Sequence, residues 1–260
     1  MKISTYNING IRVRLPRIID WLKVAKPDVV LLQEIKCEND KFPESEFSDL
    51  GYNVAINGQK GYNGVAILSK YPLEDVVSGL PGNDSDTQAR WIEAVIQGEN
   101  KIVRVCCLYL PNGNPVPGEK YDYKLAWMKR LQDRAAELLQ LEEPLIMAGD
   151  YNVIPQIEDA QHPEKWRDDA LFRLETRAEW RKLLNLGFQD AFRLKNQQDG
   201  HFTFWDFQGN AWHKNDGIRI DHLLLSPQSA DLLLECKIDK EVRGWEKPSD
   251  HVPIWVKLDC

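Results

Sequence analysis

Residues 52–110 read YNVAINGQKGYNGVAILSKYPLEDVVSGLPGNDSDTQARWIEAVIQGENKIVRVCCLYL. Short apolar and β-branched runs fill this segment, and Gly, Pro and Asn separate them, as is typical of strands joined by turns. We predict strands at residues 51–56, 64–69, 90–96 and 102–110. A doubly wound parallel sheet needs a helix between most of its strands, so this segment argues against that architecture.

Helices and further strands are predicted on both sides of this β-rich segment. The helical spacing of Ile18, Ile19 and Leu22 predicts a helix over residues 15–25, and others are expected at 121–141 and 175–186. The further strands are predicted at residues 3–7, 28–34, 144–149, 202–206, 219–226 and 252–258. This mixture favours two packed sheets with helices on their outer faces, and we expect one domain over residues 1–260.

Composition indicates a globular protein with ample material for a core. Hydrophobic residues make up 43% of the chain, and nine are tryptophan, which argues against disorder. A net charge of -7 argues against non-specific coating of DNA but is compatible with carboxylates clustered at a metal site. No apolar run approaches the roughly 20 residues of a membrane helix, so we expect no membrane partner and a cytoplasmic location, nucleoid-associated if the source is bacterial.

The cysteines show no pattern of a disulfide framework or a zinc site. They are Cys37, Cys106, Cys107, Cys236 and Cys260, an odd set without C-x-x-C spacing. We therefore expect inert, buried thiols in a reducing compartment.

Polar side chains that can bind a hard cation recur where predicted strands end or begin. They are Asn7, Asn9, Glu34, Asp150, Asn152, Asp221, Asp250 and His251. Because each lies beside an apolar run that belongs in the core, we expect them to converge on one edge of the sheets. Oxygen ligands of this kind suit magnesium or manganese rather than zinc.

Each of these residues also has a simpler structural explanation. Asn7 and Asn9 precede Gly10 and could only form a turn, and Glu34 could be a solvated strand end. The recurrence of the whole set, not any single member, favours a metal site.

The later members have simple explanations as well. Asp150 and Asn152 could form an Asx turn or a helix cap. Asp221 could pair with Arg219 at the surface, and His251 could be a core histidine with satisfied hydrogen bonds.

Seven segments, taken in order along the chain, resemble one enzyme family. They are YNINGIR (6–12), LQEIK (32–36), GQKGYNGVAILSK (58–70), YLPNG (109–113), GDYNV (149–153), RIDHLLLS (219–226) and EKPSDHVPIW (246–255). They are similar to the exonuclease III type of apurinic/apyrimidinic endonuclease, in the superfamily that also includes deoxyribonuclease I. The resemblance implies a four-layered α/β sandwich and Mg²⁺-dependent hydrolysis of DNA, with Mn²⁺ as a substitute.

The resemblance also implies a role for each matched residue. Glu34 is expected to be the principal metal ligand, and Asp150 to orient or deprotonate the attacking water. His251, oriented by Asp221, is expected to clamp the phosphate, with Tyr109 as a further donor near it. The implied catalytic residues are Tyr109, Asp150, Asn152, Asp221 and His251. The implied metal-site residues are Asn7, Glu34, Asp150, Asn152, Asp250 and His251.

Contacts to DNA are expected in the loops around this edge. Lys36, Arg90 and Asn112 match positions that would hold backbone phosphates. Residues 203–221, TFWDFQGNAWHKNDGIRID, interleave aromatic with basic side chains and could form a wall against a flipped-out sugar, although core packing is the simpler explanation for Trp205. The expected DNA-binding residues are Asn9, Lys36, Arg90, Asn112, Phe204, Trp212, Lys214 and Ile218.

The resemblance implies a DNA-repair enzyme, which we expect to be a monomer by default. It would cut double-stranded DNA 5' to abasic sites and process blocked 3' ends as a 3'-5' exonuclease and 3'-phosphatase. Ile218 stands where some relatives have Trp, so the balance between these activities stays open. Two alternatives also remain: a phosphatase or phosphodiesterase acting on a non-DNA phosphoester, and a catalytically silent nucleic-acid-binding regulator.

Overall fold

Two six-stranded sheets lie at the centre of the fold in this computed structural model, which describes residues 1–98 and 101–260. The strands are β1 (Lys2–Asn7), β2 (Val29–Gln33), β3 (Asn53–Asn57), β4 (Val65–Ser69), β5 (Leu73–Ser78), β6 (Trp91–Gln97), β7 (Ile102–Tyr109), β8 (Leu145–Asp150), β9 (Gln189–Asp190), β10 (Asp221–Leu225), β11 (Leu233–Ile238) and β12 (Ile254–Leu258). The first sheet has the order β11-β12-β1-β2-β4-β3 and the second β5-β6-β7-β8-β10-β9.

Long helices cover the outer faces of the sheets, and shorter helices lie in the connecting segments. They are α1 (Ile11–Ala25), α2 (Glu44–Ser48), α3 (Glu119–Leu139), α4 (Leu174–Asn185), α5 (Ala191–Lys195), α6 (Ala211–Lys214) and α7 (Pro227–Ala230), with 3₁₀ turns at Asn39–Lys41, Ile157–Asp159, Pro163–Trp166 and Lys240–Gly244. Helix α1 packs on the first sheet, while α3 and α4 pack on the second. The predicted α/β sandwich with two mixed sheets is confirmed.

Strand β2 shows how the layers form. Its side chains alternate, so that Val29 and Leu31 join the core between the two sheets, whereas Val30 and Leu32 join the core beneath α1. Both faces of the strand are buried, which explains why its sequence is a continuous apolar run rather than an alternating one.

The predicted strand at residues 202–206 is wrong. Only Phe204 forms isolated bridges there, with Ile218 and with His251. The amide of Thr203 donates to Ile218, but that of Trp205 donates to Asp250. The segment therefore crosses between two loops and does not continue a ladder with either of them.

Several boundaries also differ from the sequence-based expectations. Helix α1 begins at Ile11 rather than at residue 15. Strands β5 and β11 were not predicted, because β5 is largely exposed and both lie at the edges of their sheets, where no apolar alternation is required.

Burial agrees with the expectation of inert thiols. Four of the five cysteines are buried and Cys260 is partly exposed, and burial raises the pKa of Cys107 to about 12. Within residues 1–98 and 101–260, no helix combines the length and apolarity that a bilayer span requires.

Strand directions bring the polar residues to one edge. Strands β1 and β2 are parallel, so Asn7, the last residue of β1, and Glu34, which follows β2, lie at neighbouring strand ends. In the second sheet β8 ends at Asp150, and antiparallel β10 begins at Asp221, its direct partner in the ladder. Strand β12 runs antiparallel to β1, which places His251, three residues before the start of β12, at the same edge.

Candidate active site

A cluster of three ionisable side chains occupies this edge. Glu34, Asp150 and His251 each direct one ligand atom into a group whose members lie within 4.8 Å of one another. The Asn7 amide nitrogen donates to both carboxylates, to Glu34 Oε1 at 2.9 Å and to Asp150 Oδ2 at 3.0 Å. Asn7 therefore ties one acidic residue from each sheet to the other.

His251 is held in a fixed orientation by a buried aspartate. Its Nδ1 lies 2.8 Å from Asp221 Oδ2, and its Nε2 lies 3.7 Å from Asp150 Oδ2. Burial alone would lower the pKa of His251, but the carboxylates of Asp221 and Asp150 raise it to about 10. The imidazole is therefore charged at neutral pH, and its Nε2–H points toward the cluster.

The carboxyl group of Asp150 has a raised pKa. Burial raises its pKa to about 7; the His251 charge opposes this effect, while the nearby Asp221 charge adds to it. Its Oδ1 accepts a hydrogen bond from the backbone N–H of Asn152 at 2.9 Å. A carboxyl group with a pKa near neutrality is suited to general-base catalysis.

Glu34 stays ionised. Although burial alone would raise the pKa of Glu34, the Lys36 ammonium 2.7 Å away and the Asn7 amide lower it. Glu34 and Lys36 both adopt left-handed backbone conformations, with φ of 52° and 54°. Hydrogen bonds from Ile35 to Gly64 and from Lys36 to Asn63 hold this unfavourable turn in place.

Tyr109 closes another side of the cluster at the end of β7. Burial, followed by the charges of Glu34 and Asp150, raises the pKa of Tyr109 well above its usual range, so its hydroxyl remains protonated. The Arg90 guanidinium lies 4.8 Å from the centre of the Tyr109 ring. Arg90 also donates to Gln88 at 2.8 Å, which restricts its position.

Two asparagines line the floor beside Asp150. Asn112 Nδ2 donates to Asn152 Oδ1 at 3.1 Å, and Asn152 Nδ2 donates to the Leu110 carbonyl at 3.0 Å. Asn152 has a φ of 48°, a conformation that asparagine tolerates better than most residues.

Asn9 and Asp250 form a polar pair at the rim. Asn9 Nδ2 donates to Asp250 Oδ1 at 2.9 Å, and Lys36 Nζ donates to Asn9 Oδ1 at 2.5 Å. Asp250 is thus linked to Lys36 through Asn9, while Glu34, Asp150 and His251 form the closer group.

The predicted aromatic wall divides into two parts. Phe204 packs edge-on against His251, with ring centres 5.0 Å apart, and pairs with Ile218 through its backbone. Trp212 instead packs against Trp205, which is fully buried as its simpler explanation required. Lys214 is exposed and donates to the Gly209 carbonyl.

Comparison with known proteins identifies the family. A model of the Endonuclease/Exonuclease/phosphatase family matches residues 4–251. The chain is 33% identical to exodeoxyribonuclease III of Haemophilus influenzae over 266 residues, covering 99% of this chain and 100% of that protein. This chain belongs to the endonuclease/exonuclease/phosphatase family.

Solved structures of family members agree over the whole chain. An AP endonuclease from Archaeoglobus fulgidus superimposes with a TM-score of 0.95 at 38% identity, and the 3' phosphatase NExo from Neisseria, bound to a product DNA hairpin, with 0.96 at 36%. Each comparison covers 100% of both chains. The family assignment thus rests on sequence and on fold together.

In this family member the acidic cluster fits a divalent cation. Glu34 and Asp150 offer hard oxygen ligands from opposite sheets, which suits magnesium or manganese. Nearby, Asp221 Oδ1 is buried and has no hydrogen-bond partner among the described residues. A buried carboxylate oxygen without a partner is costly, and a cation close to it would lower that cost.

Sequence reasoning missed two buried groups next to the site. One is Lys124, which lies on the same face of α3 as the core residues Tyr121, Trp127 and Leu131. A lysine on the apolar face of a helix was the available signal. The other is Arg219, which a sequence pattern cannot distinguish from a solvated arginine between Ile218 and Ile220.

Arg219 also corrects an alternative explanation of Asp221. The two residues do not form a surface ion pair, because Arg219 is fully buried and binds Asp159 at 2.7 Å and Asp190 at 2.8 Å. Asp221 therefore pairs with His251 and not with Arg219.

Proposed function

We propose that this chain is a magnesium-dependent DNA-repair phosphodiesterase that cuts the backbone 5' to abasic sites and leaves a 3'-hydroxyl. The observation that carries the proposal is the meeting of Glu34, Asp150 and the Asp221-bound His251 at one edge of the two sheets. Relatives named as an exodeoxyribonuclease III and an AP endonuclease support the same chemistry.

We assign the metal to the two carboxylates and the phosphate to His251. Glu34 and Asp150 would hold Mg²⁺, for which Mn²⁺ can substitute, and Asn7 keeps the two carboxylates together. The bound cation would neutralise charge on the phosphate oxygens and on the leaving 3'-oxygen. Because Asp221 holds Nδ1 of His251, Nε2 is the nitrogen that faces the cluster, and we assign its N–H as a donor to a phosphate oxygen.

Asp150 is assigned as the base that orients and deprotonates the attacking water. Its Oδ1 is fixed by the backbone N–H of Asn152, and its Oδ2 faces Nε2 of His251 at 3.7 Å, which places the carboxylate beside the assigned phosphate site. Asn152 would steady the phosphate, and the protonated Tyr109 hydroxyl would donate to it. These residues lie at the ends of buried strands, which limits the reorganisation needed during the reaction.

DNA is the expected substrate because the residues around the cluster suit a sugar-phosphate chain. Lys36 contacts Glu34, Arg90 contacts Tyr109, and Asn112 contacts Asn152. Phe204 packs against His251 and pairs with Ile218 through its backbone. The Neisseria relative is bound to a DNA hairpin. The cytoplasmic location, the monomeric state and the single domain remain predictions.

Processing of 3' ends is a second candidate activity. The 3' phosphatase NExo is as similar in fold to this chain as the AP endonuclease is. We therefore propose 3'-5' exonuclease and 3'-phosphatase activity at the same site.

An end-labelled duplex with one abasic analogue tests the proposal. We expect cleavage 5' to the analogue with Mg²⁺ or Mn²⁺ and none with a chelator, and a 3'-phosphorylated duplex measures the second activity. Binding without cleavage of either duplex would favour the silent regulator. Hydrolysis of inositol phosphates or lipid headgroups, with both DNA substrates intact, would favour the other alternative. Cleavage that persists in excess chelator would contradict the metal requirement.

A further inference from the structure

Lys124 is a lysine fully buried in the interior beneath the active site. It lies in the second turn of α3, among side chains that form the core between that helix and the second sheet. Burying an amine is costly unless its hydrogen bonds are satisfied, so its partners explain why it is placed there.

Both hydrogen-bond partners of Lys124 belong to active-site loops. Its Nζ donates to the Asn152 carbonyl at 2.6 Å and to the Asn112 carbonyl at 3.0 Å. The side chains of these two asparagines are themselves hydrogen-bonded at 3.1 Å. The Lys124 amine, the two backbone carbonyls and the two side-chain amides thus form a closed ring of hydrogen bonds. This ring joins the loop after β7 to the turn after β8.

We propose that Lys124 is a positioning residue that fixes the Asn112–Asn152 pair at the phosphate site. The inference rests on the proposed phosphodiester hydrolysis and adds a residue that acts through the two asparagines. Both the ammonium and the neutral amine can donate two hydrogen bonds, so the link does not depend on the charge of Lys124.

The loop geometry supports a specific fit around this side chain. Gly113 lies between Asn112 and the rest of the loop with a φ of +92°, and a Cβ there would lie 2.7 Å from Lys124 Cδ and 3.1 Å from Ala170 Cβ. The loop passes over the lysine stem only because this residue is glycine. Gly113→Ala would therefore disturb the link while leaving the amine in place.

The first test replaces the amine with an apolar group of similar length. For Lys124→Met we expect kcat for cleavage of the abasic duplex to fall about 10- to 100-fold, because a misplacement of about 1 Å at a reacting centre costs this much. KM should change less than about threefold. The Kd for DNA, which is measured in chelator so that no cleavage occurs, should also change less than about threefold. The matched control is Lys129→Met, an exposed lysine on the same helix, which should match the wild type.

A double-mutant cycle separates positioning from general damage. If Lys124 acts through the asparagines, Lys124→Met combined with Asn112→Ala should lose little more kcat than the more damaging single variant. If the kcat losses of the two single variants multiply in the double variant, the proposal is overturned. A wild-type kcat for Lys124→Met would also overturn it. If Lys124→Met does not fold, the same cycle with Gly113→Ala decides between these outcomes.

The wild-type enzyme provides the reference for both proposals. If it cleaves no DNA, the proposed function fails. If it cleaves DNA and the Lys124 and Gly113 variants match it, only the positioning role is overturned.

Discussion

Two buried histidines near the same sheet edge have opposite electrostatic environments. His251 faces Asp221 and Asp150, and these carboxylates raise its pKa to about 10 against the effect of burial. His222 is also fully buried, but burial and the Arg219 charge lower its pKa to about 4. Burial alone therefore does not set the charge of a histidine; the sign of the neighbouring charge does.

The hydrogen bonds of the two rings differ as well. His222 accepts from Arg219 through Nδ1 at 2.9 Å and donates to the Val153 carbonyl through Nε2 at 3.0 Å, so both nitrogens have partners within the fold. His251 uses Nδ1 for Asp221 and directs Nε2 toward Asp150 at a distance of 3.7 Å.

The hydrogen-bond networks around the two histidines differ in the same way: one has all its partners within the part of the fold that the structure describes and the other does not. Around Arg219, the carboxylates of Asp159 and Asp190 are paired with guanidinium groups. Beside His251, Asp221 Oδ1 has no partner among the described residues. A network with its partners in place stabilises the fold, whereas one that lacks a partner is available to bind a ligand.

Of the two histidine environments, the larger effect should come from the carboxylate that keeps His251 charged. For Asp221→Asn we expect kcat on the abasic duplex to fall about a thousandfold, because the amide cannot stabilise the imidazolium or fix its orientation. Single-turnover rates measure this loss. The exposed Asp231→Asn is the control, and a rate within about threefold of the wild type for Asp221→Asn would contradict the role of the pair.

A smaller effect should appear in the acid stability that depends on His222. Its pKa is about 4 in the folded protein and near 6.5 when unfolded, so the unfolded chain binds more protons between these values. The free energy of unfolding should therefore fall by about 3 kcal/mol from this group as pH drops through that window.

Replacement of the titrating ring tests this contribution. Gln can accept from Arg219 and donate to Val153, so His222→Gln should remove the pH dependence while keeping both hydrogen bonds. Urea unfolding between pH 4 and 7 measures the change. If the free energy of unfolding of this variant falls between pH 7 and 4 as steeply as that of the wild type, groups other than His222 cause the loss of stability.

The convergence of the candidate site could be predicted because its residues lie at the ends of apolar runs. Glu34, Asp150 and Asp221 each adjoin a buried strand, and strands packed in two sheets bring such positions to a common edge. The roles proposed for these residues come from the resemblance of the seven segments, because the sequence pattern alone could not distinguish them from residues of turns and caps.

Features that depend on distant partners could not be predicted. Arg219 is paired with Asp159, sixty residues away in the chain, and local spacing carries no information about that contact. Residues 202–206 have the composition of a strand, but their hydrogen bonds go to two different loops. Contacts with distant parts of the chain determine both the burial of Arg219 and the conformation of residues 202–206.

The most direct test compares the same substitution in the two networks. Asp150→Asn and Asp159→Asn each replace one buried carboxylate with an amide, and both kcat on the abasic duplex and the free energy of unfolding are measured. Asp150→Asn should lose about a thousandfold or more in kcat with no loss of stability, because burial disfavours its charged form.

Asp159→Asn should show the reverse pattern. It leaves the buried Arg219 short of a counter-charge, so the free energy of unfolding should fall by about 3–5 kcal/mol while the folded enzyme retains most of its kcat. Near wild-type cleavage by Asp150→Asn, or equal losses of stability in the two variants, would contradict the division between a catalytic and a structural network.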